Sequence, residues 1–491
     1  MKKALLLLSI LTVLSFKIIP AQGIGAFLSH ATFNIPGQSP YVEVYLEFVG
    51  NTILYKQLPS GQFQGSMQVT MIIKQDSLIK DFKKYELLSA VINDTAGVGV
   101  NFVDQQRFSL PNGEYILELS IADNNVDKEP SKLNYPFSIN FADDKISMST
   151  VQLINSYSRS NETTILSKSG YDLVPLVDNF YPTDKNKLIF YNEIYNPKHV
   201  EGDGFLISYY IESFESGRPL NDFARIKREA SKPVMVVLNE FDISKLPTGN
   251  YNLVISVKDK NNTEVAISSS FFERTNTYMN GQVMSYQSVD LTNSFALNIT
   301  SIDTLREYIK ALIPISTEME KLFIRYQLNE AQLHVLQQYF QQFWETRNIF
   351  EPQKEWESYK AQVARVNQAY GTQVKKGYET DMGNVFLKYG EPSTIQDVSF
   401  EAGGMTEGTV PYQIWHYYSL QNGRQRNKKF VFVSSEVSVK DYTLVHSDAV
   451  GEIQNWNWQK LLVRNLDVGD RQYDDFRRDR SRSGTIYNNP W

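Results

Sequence analysis

Three features predict a multidomain chain that is mainly β in its first half and α+β in its second. Runs of β-forming residues, separated by Gly, Pro, Asn and Asp turns, fill residues 24–275. One of these runs recurs 136 residues further along. Beyond residue 300 the apolar positions fall three and four apart, the helical period. The predicted order is two tandem β-sandwiches at 24–145 and 150–275 and a polar, Asn/Ser-rich linker at 276–300. A helical hairpin with an α+β domain follows at 301–466, then an Arg-rich flexible tail at 467–491.

Tyr41–Phe48 is rich in β-formers and carries Glu43 and Glu47 on one face. Met67–Ile73, Phe102–Leu110 and Tyr115–Ile121 read as further strands. Spacing of this kind points to a sandwich rather than to βαβ units. The repeat pairs Leu110-Pro111-Asn112-Gly113-Glu114-Tyr115 with Leu246-Pro247-Thr248-Gly249-Asn250-Tyr251, and continues to Asp123 and Asp259. A turn feeding a penultimate strand in this pattern is common in immunoglobulin-like and fibronectin III-like sandwiches. Asp123-Asn124-Asn125-Val126-Asp127 has the look of a calcium loop but lacks a glycine at the sixth position. A shared hairpin turn accounts for it and for Asp259-Lys260-Asn261-Asn262.

The start of the chain has the physics of a secretory signal peptide over residues 1–21. Lys2 and Lys3 precede the mostly apolar run Ala4 to Leu14, and Pro20-Ala21 precedes Gln22. Removing it takes away three lysines and moves the formal charge from −6 to −9. That acidity argues against a general nucleic-acid binder. No later stretch has about 18 consecutive apolar residues, so no transmembrane span is expected in the mature chain. The sequence has no cysteine, which excludes disulfides, thiolate chemistry and the acylated cysteine of a bacterial lipoprotein. The expected location is the periplasm, or association with the outer membrane or release beyond it.

Helices are predicted from Asp303 to about Leu312 and from Thr317 to Arg325. A third should be capped by Asn329 and striped by Leu333, Leu336, Phe340 and Phe343. Another should start at Pro352 and carry Trp356, Tyr359, Val363, Val366 and Tyr370. The most ordered pattern comes next, Gly377-Tyr378-Glu379-Thr380-Asp381-Met382-Gly383 running on to Tyr389-Gly390-Glu391-Pro392. Thr380 or Asp381 can cap a short helix whose Met382, Val385, Phe386 and Tyr389 share one face. Gly390 and Pro392 end it. Gly383 inside the first turn costs roughly 1 kcal/mol against alanine, which suggests a second backbone in close approach. Strands should follow at Thr394–Phe400, Tyr412–Leu420, Lys429–Ser434 and Asp441–His446, with Asn422-Gly423 as a hairpin turn, then a last helix holding Trp456 and Trp458.

The Gly-aromatic-x-Thr-Asp pattern, the Tyr-Gly-x-Pro stop and the downstream Ile414-Trp415-His416-Tyr417-Tyr418 resemble the GWxTD domain, found mainly in exported proteins of Bacteroidota. The resemblance covers about residues 300–465, with Gly377, Tyr378, Thr380, Asp381, Gly383, Tyr389, Gly390, Pro392 and Trp415 as its motif residues. Tyr378 stands where the family name has Trp. The family implies location and architecture better than activity.

Common catalytic signatures are missing: no Gly-x-Ser-x-Gly, His-Glu-x-x-His, phosphate-cradling loop or dinucleotide fingerprint is present. Gly97-Val98-Gly99 reads as a strand edge. Of five histidines, only His416 falls in the core of the motif region; its acidic partner would have to be Asp381 or Glu379, and a His416–Asp381 dyad is the candidate catalytic pair. No cofactor and no metal site is expected. Arg477 and Arg478, with Tyr487 and Trp491 as aromatic anchors, could make the tail a docking peptide. The reading is a non-enzymatic exported scaffold or interaction protein with protein partners in the cell envelope, at an outer-membrane or secretion assembly. Two alternatives stay open: a carbohydrate-binding surface protein using aromatics near Tyr209 and Tyr210, and a hydrolase of unrecognised type centred on Asp381 and His416.

Overall fold

The computed structural model describes residues 24–462 apart from 95–99, 143, 197–204, 231, 277–290, 293, 399–409, 435–440 and 456–457. The expected signal peptide, the tail and Gly97–Gly99 lie outside the described residues. The chain forms two compact units, one of Met1–Phe141 with Asn161–Ser167 and one of Ala142–Ser160 with Lys168–Trp491.

In the first unit, Tyr41–Phe48 is the middle strand of an antiparallel sheet, between Ala26–Phe33 and Phe102–Ser109. A second sheet centres on Phe63–Gln75, which pairs with Leu78–Leu88 and with Gly113–Asp123, beyond which lies Ser131–Ile139. Strict alternation buries Met67, Val69, Met71 and Ile73 against Tyr115, Leu117, Leu119 and Ile121. Glu43 is fully buried. Its carboxylate accepts from Arg107 Nε (3.0 Å) and Nη2 (2.6 Å) and from the Tyr45 hydroxyl. The backbone of Asn161–Ser167 covers that side, with the Ile165 carbonyl accepting from Gln105 and Arg107.

In the second unit, one sheet runs Tyr171–Pro175, Gln152–Arg159, Lys187–Tyr195, Val234–Asp242. Another runs Phe180–Tyr181, Glu264–Arg274, Gly249–Lys258, Phe205–Ser213, Pro219–Glu229. The two sheets share a core in which Leu153, Phe190 and Phe241 meet Tyr209, Leu253 and Phe272. The two copies of the repeat do the same physical job. The Tyr115 hydroxyl donates to the Pro111 carbonyl (2.8 Å), and that of Tyr251 to the Pro247 carbonyl (3.1 Å). Each ring stacks on a phenylalanine of the next strand, Phe137 or Phe272. Asn112 and Thr248, equivalent in the turn, each accept the amide of the segment leaving the last strand, at Phe141 and Asn276. Asp123 and Asp259 each accept the amide two residues on (2.8 Å in both), an Asx turn.

The second unit also contains five described α-helices: α1 (Ile302–Lys310), α2 (Glu318–Tyr326), α3 (Leu333–Glu345), α4 (Pro352–Tyr370) and α5 (Asp381–Tyr389). Ser301 caps α1, and Thr317 with Glu320 closes a capping box on α2. Asn329 does not cap α3. Gln332 holds that position without a side-chain bond, and the Asn329 carbonyl instead accepts from Arg306 (2.6 Å). The described end of the expected linker is packed: Ser294 donates to Gln341 (2.6 Å), and the turn Phe295–Asn298 sets Phe295 against Phe340.

The final sheet is antiparallel, in the order Thr394–Val398, Tyr412–Leu420, Gln425–Ser434, Tyr442–Ser447. Trp415, Tyr417, Phe430 and Phe432 pack on the helices. The opposite face sets Ile414, Val431 and Val433 against Trp458 and Leu462. Trp458 sits in a 3-10 turn, Trp458–Leu462, rather than an α-helix.

Candidate functional site

The motif residues converge where α4, the 3-10 turn Gly377–Glu379 and α5 meet. A Cβ on Gly377 would be driven into the Val366 carbonyl, and one on Gly383 into the Gly377 carbonyl and against Val366 Cγ1. Three stretches of backbone are therefore in direct contact, and only glycine fits at both points. Thr380 ties them together. Its Oγ1 donates to the Gly377 carbonyl (2.7 Å) and accepts from the Gly383 amide (3.1 Å), which makes it the N-cap of α5. Asn384, which the sequence did not single out, donates to the carbonyls of Tyr378 and Thr380 (both 2.9 Å).

Tyr378 is buried, and its hydroxyl donates to Glu307 on α1 (2.7 Å). Lys376 pairs with the same carboxylate. Burial pushes Glu307 upward, but the Lys376 and Tyr378 donors outweigh it and leave the carboxyl below its ordinary pKa. An indole N–H in place of Tyr378 would also be a donor. Burial first, then the Glu307 bond and charge, push the Tyr378 phenol far up.

Asp381, the first residue of α5, accepts the Leu444 amide from the strand Tyr442–Ser447 (2.8 Å). It joins the helix N-terminus to the sheet edge, a favourable place for a carboxylate. Gly390 closes α5 at φ +84°, and its carbonyl accepts from Tyr417 (2.9 Å). Tyr389 donates to Glu452 (2.7 Å), and Pro392 is buried. The Trp415 ring lies 5.5 Å from that of Tyr370 and 4.8 Å from that of Phe432.

The structure keeps His416 apart from Asp381. Trp415 and Tyr417 face the helices, so the residue between them points to the other face. The strand Gln425–Ser434 also intervenes between His416 and the edge where Asp381 bonds. On its own face His416 stands opposite Lys429 across the ladder, and its ring packs edge-on to Tyr418. Burial first, then Lys429, lower its pKa. His446 is fully buried and accepts the Asn455 amide at Nδ1 (3.0 Å). Burial and then Lys429 push it down to about 4. Asp448 accepts the Lys429 amide (2.6 Å), and burial raises its carboxyl.

Tyr209 is no open platform for a sugar. It is buried between Phe190 and Phe241 and accepts from Asn239 (2.8 Å), while Tyr210 is half-buried. Arg477, Arg478, Tyr487 and Trp491 lie outside the described residues.

Sequence reasoning missed a buried ion pair. Glu212, on the strand Phe205–Ser213, accepts from Asn252 (3.0 Å) and from both terminal nitrogens of Arg424, one at 3.2 Å. The turn after Asn422-Gly423 delivers Arg424, so the hairpin signal was legible but its target was not. Beside it, Phe214 packs on Gly451, where a Cβ would strike the ring.

Fold and motif together define a mainly β protein with a C-terminal α+β module built on a glycine-hinged, threonine-capped helix. Residues 284–460 match the GWxTD domain, and the chain is a GWxTD domain-containing protein. None of the curated proteins matches it in sequence. Among solved structures, the fibronectin(III)-like modules of Clostridium thermocellum CbhA are similar at 10% identity and TM-score 0.15, covering 49% of this chain and 87% of theirs. A Salmonella alpha-2-macroglobulin mutant, Y1175G, is similar at 13% identity and TM-score 0.16, over 51% of this chain and 16% of its own. Bacteroides uniformis beta-glucuronidase 2 is similar at 8% identity and TM-score 0.19, over 48% and 26%. No conclusion about this chain rests on likenesses of that size.

Proposed function

We propose that the chain is a non-enzymatic exported scaffold that binds protein partners of the cell envelope, at an outer-membrane or secretion assembly. Its β modules are then of immunoglobulin-like or fibronectin III-like kind, and residues 1–21 direct it to the periplasm. The observation that carries the reading is the strand Leu78–Leu88. Among the described residues it pairs on one side only, with Phe63–Gln75, while Leu78 (63%), Phe82 (66%) and Leu88 (51%) stand exposed along it. An edge strand left open offers its backbone for pairing with another chain, and here these apolar side chains stand among Lys80, Lys84 and Glu86. The motif side chains, by contrast, are taken up in packing and in hydrogen bonds within the chain.

The test is crosslinking in native membranes, with recovery through a tag placed after Gln22. Co-recovery of an outer-membrane or secretion complex, lost on Phe82→Asp or on deleting Asp470–Trp491, supports the scaffold. The two variants separate the edge strand from the tail as the contact. Recovery of a lone monomer overturns the reading.

A further inference from the structure

Inside the second unit, helices and β-strands enclose a cavity of about 390 Å³, within the range of small-molecule sites. The hairpin Ser213–Leu220 and the tyrosine-corner turn Pro247–Tyr251 form one side. Residues of α2 and α3, Met319 and Phe343 among them, form the other.

Most of its polar groups are committed. Arg347 holds Glu320 through two bonds of 2.9 Å and donates to the carbonyls of Ile315 (2.7 Å) and Phe343 (2.9 Å). Thr317 caps α2, Thr346 donates to the Phe343 carbonyl (2.9 Å), and Thr248 accepts from Asn276 (2.8 Å). Glu215 accepts from Asn250 (3.1 Å). Arg218 differs: among the described residues its guanidinium makes no hydrogen bond or ion pair, although it is half-buried. Burial and then the neighbouring Arg347 push its pKa down, and only the charge of Glu355 pulls it back. A guanidinium held out of full solvent beside a second guanidinium calls for an anion.

We propose that this cavity binds a small organic monocarboxylate, its carboxylate held by Arg218 and its apolar body laid against Leu220, Met319 and Phe343. The planar fork of arginine matches a carboxylate in bidentate fashion. A single uncommitted guanidinium, with Glu215 and Glu320 also on the wall, disfavours a phosphate dianion. The carboxylate could come from a free acid or from the C-terminus of a peptide. The site does not depend on the scaffold reading.

The full chain would be titrated calorimetrically with hexanoate, 4-phenylbutyrate, the neutral 4-phenylbutanol, and an acetylated peptide ending in Phe as the free acid or the amide. An acid should bind at least about 10-fold more tightly than its neutral counterpart, and Arg218→Gln should remove that preference. Because the Arg218 guanidinium makes no hydrogen bond or ion pair among the described residues, its substitution should leave the melting temperature unchanged. Met319→Trp, which fills the cavity, should abolish binding. Preference for the peptide acid identifies a chain terminus as the source, and preference for the short acids a metabolite; both sustain the site. Equal affinity for acid and neutral counterpart, wild-type affinity in Arg218→Gln, or no binding of any acid at millimolar concentration would overturn it.

Discussion

Gly383→Ala reverses the usual sign of a helix substitution. In an exposed helix interior the change stabilises by about 1 kcal/mol. Here the added methyl falls within bonding distance of the Gly377 carbonyl and 2.8 Å from Val366 Cγ1. That carbonyl cannot rotate away, because the Thr380 hydroxyl (2.7 Å) and amide (3.1 Å) both hold it. Helix α5 would have to withdraw, parting Met382, Val385 and Phe386 from the core they share with Val366 and Tyr378. Overpacking costs about 1–3 kcal/mol, and the two strained Thr380 bonds about 1 kcal/mol each. Set against the helix gain, the net loss is about 2–4 kcal/mol. For a unit of this size that lowers the melting temperature by roughly 3–6 °C. Urea unfolding and calorimetry would measure it, and Gly377→Ala should move the same way through the Val366 carbonyl. A Gly383→Ala protein as stable as the parent, or more stable, would refute the backbone contact as the reason for the glycines.

Two further outcomes follow from buried charge. An unfolded histidine titrates near 6.5, whereas folded His446 lies at about 4, through burial first and Lys429 second. The folded pKa is depressed, so the contribution is whole above pH 6.5 and is lost as pH falls toward 4, by up to about 3 kcal/mol. His446→Gln, whose amide oxygen can still accept from Asn455, should flatten the stability profile over that window; an unchanged slope would disprove the assignment. Arg424→Ala leaves the Glu212 carboxylate buried without its cation, at a cost of about 3–5 kcal/mol. Adding Glu212→Gln should recover much of that loss. Equal urea midpoints for the single and double variants would show that the unpaired Glu212 carboxylate is not the source of the loss.

What was legible in the sequence was local. Thr317 with Glu320, Pro352 at the start of α4, and the paired Leu-Pro-x-Gly-x-Tyr turns each carry their structural reason within a few residues. Gly383 was legible for the opposite reason, since its cost to the helix had to be offset by a contact elsewhere. Asn384 was not, because an asparagine within a short helix looks like weak propensity until the Tyr378 and Thr380 carbonyls are seen beneath it. The burial of Glu43 was not legible, because nothing in its own segment announces Arg107. Glu212 and Arg424 lie 212 positions apart, and no periodicity connects them. The division has a consequence for function. The glycines and the threonine of the motif sit where backbones meet, so they record how α5 is seated. Among the described residues, the edge at Leu78–Leu88 and the cavity beside Arg218 are two places where a strand stays unpaired or distant segments meet, and neither contains a motif residue.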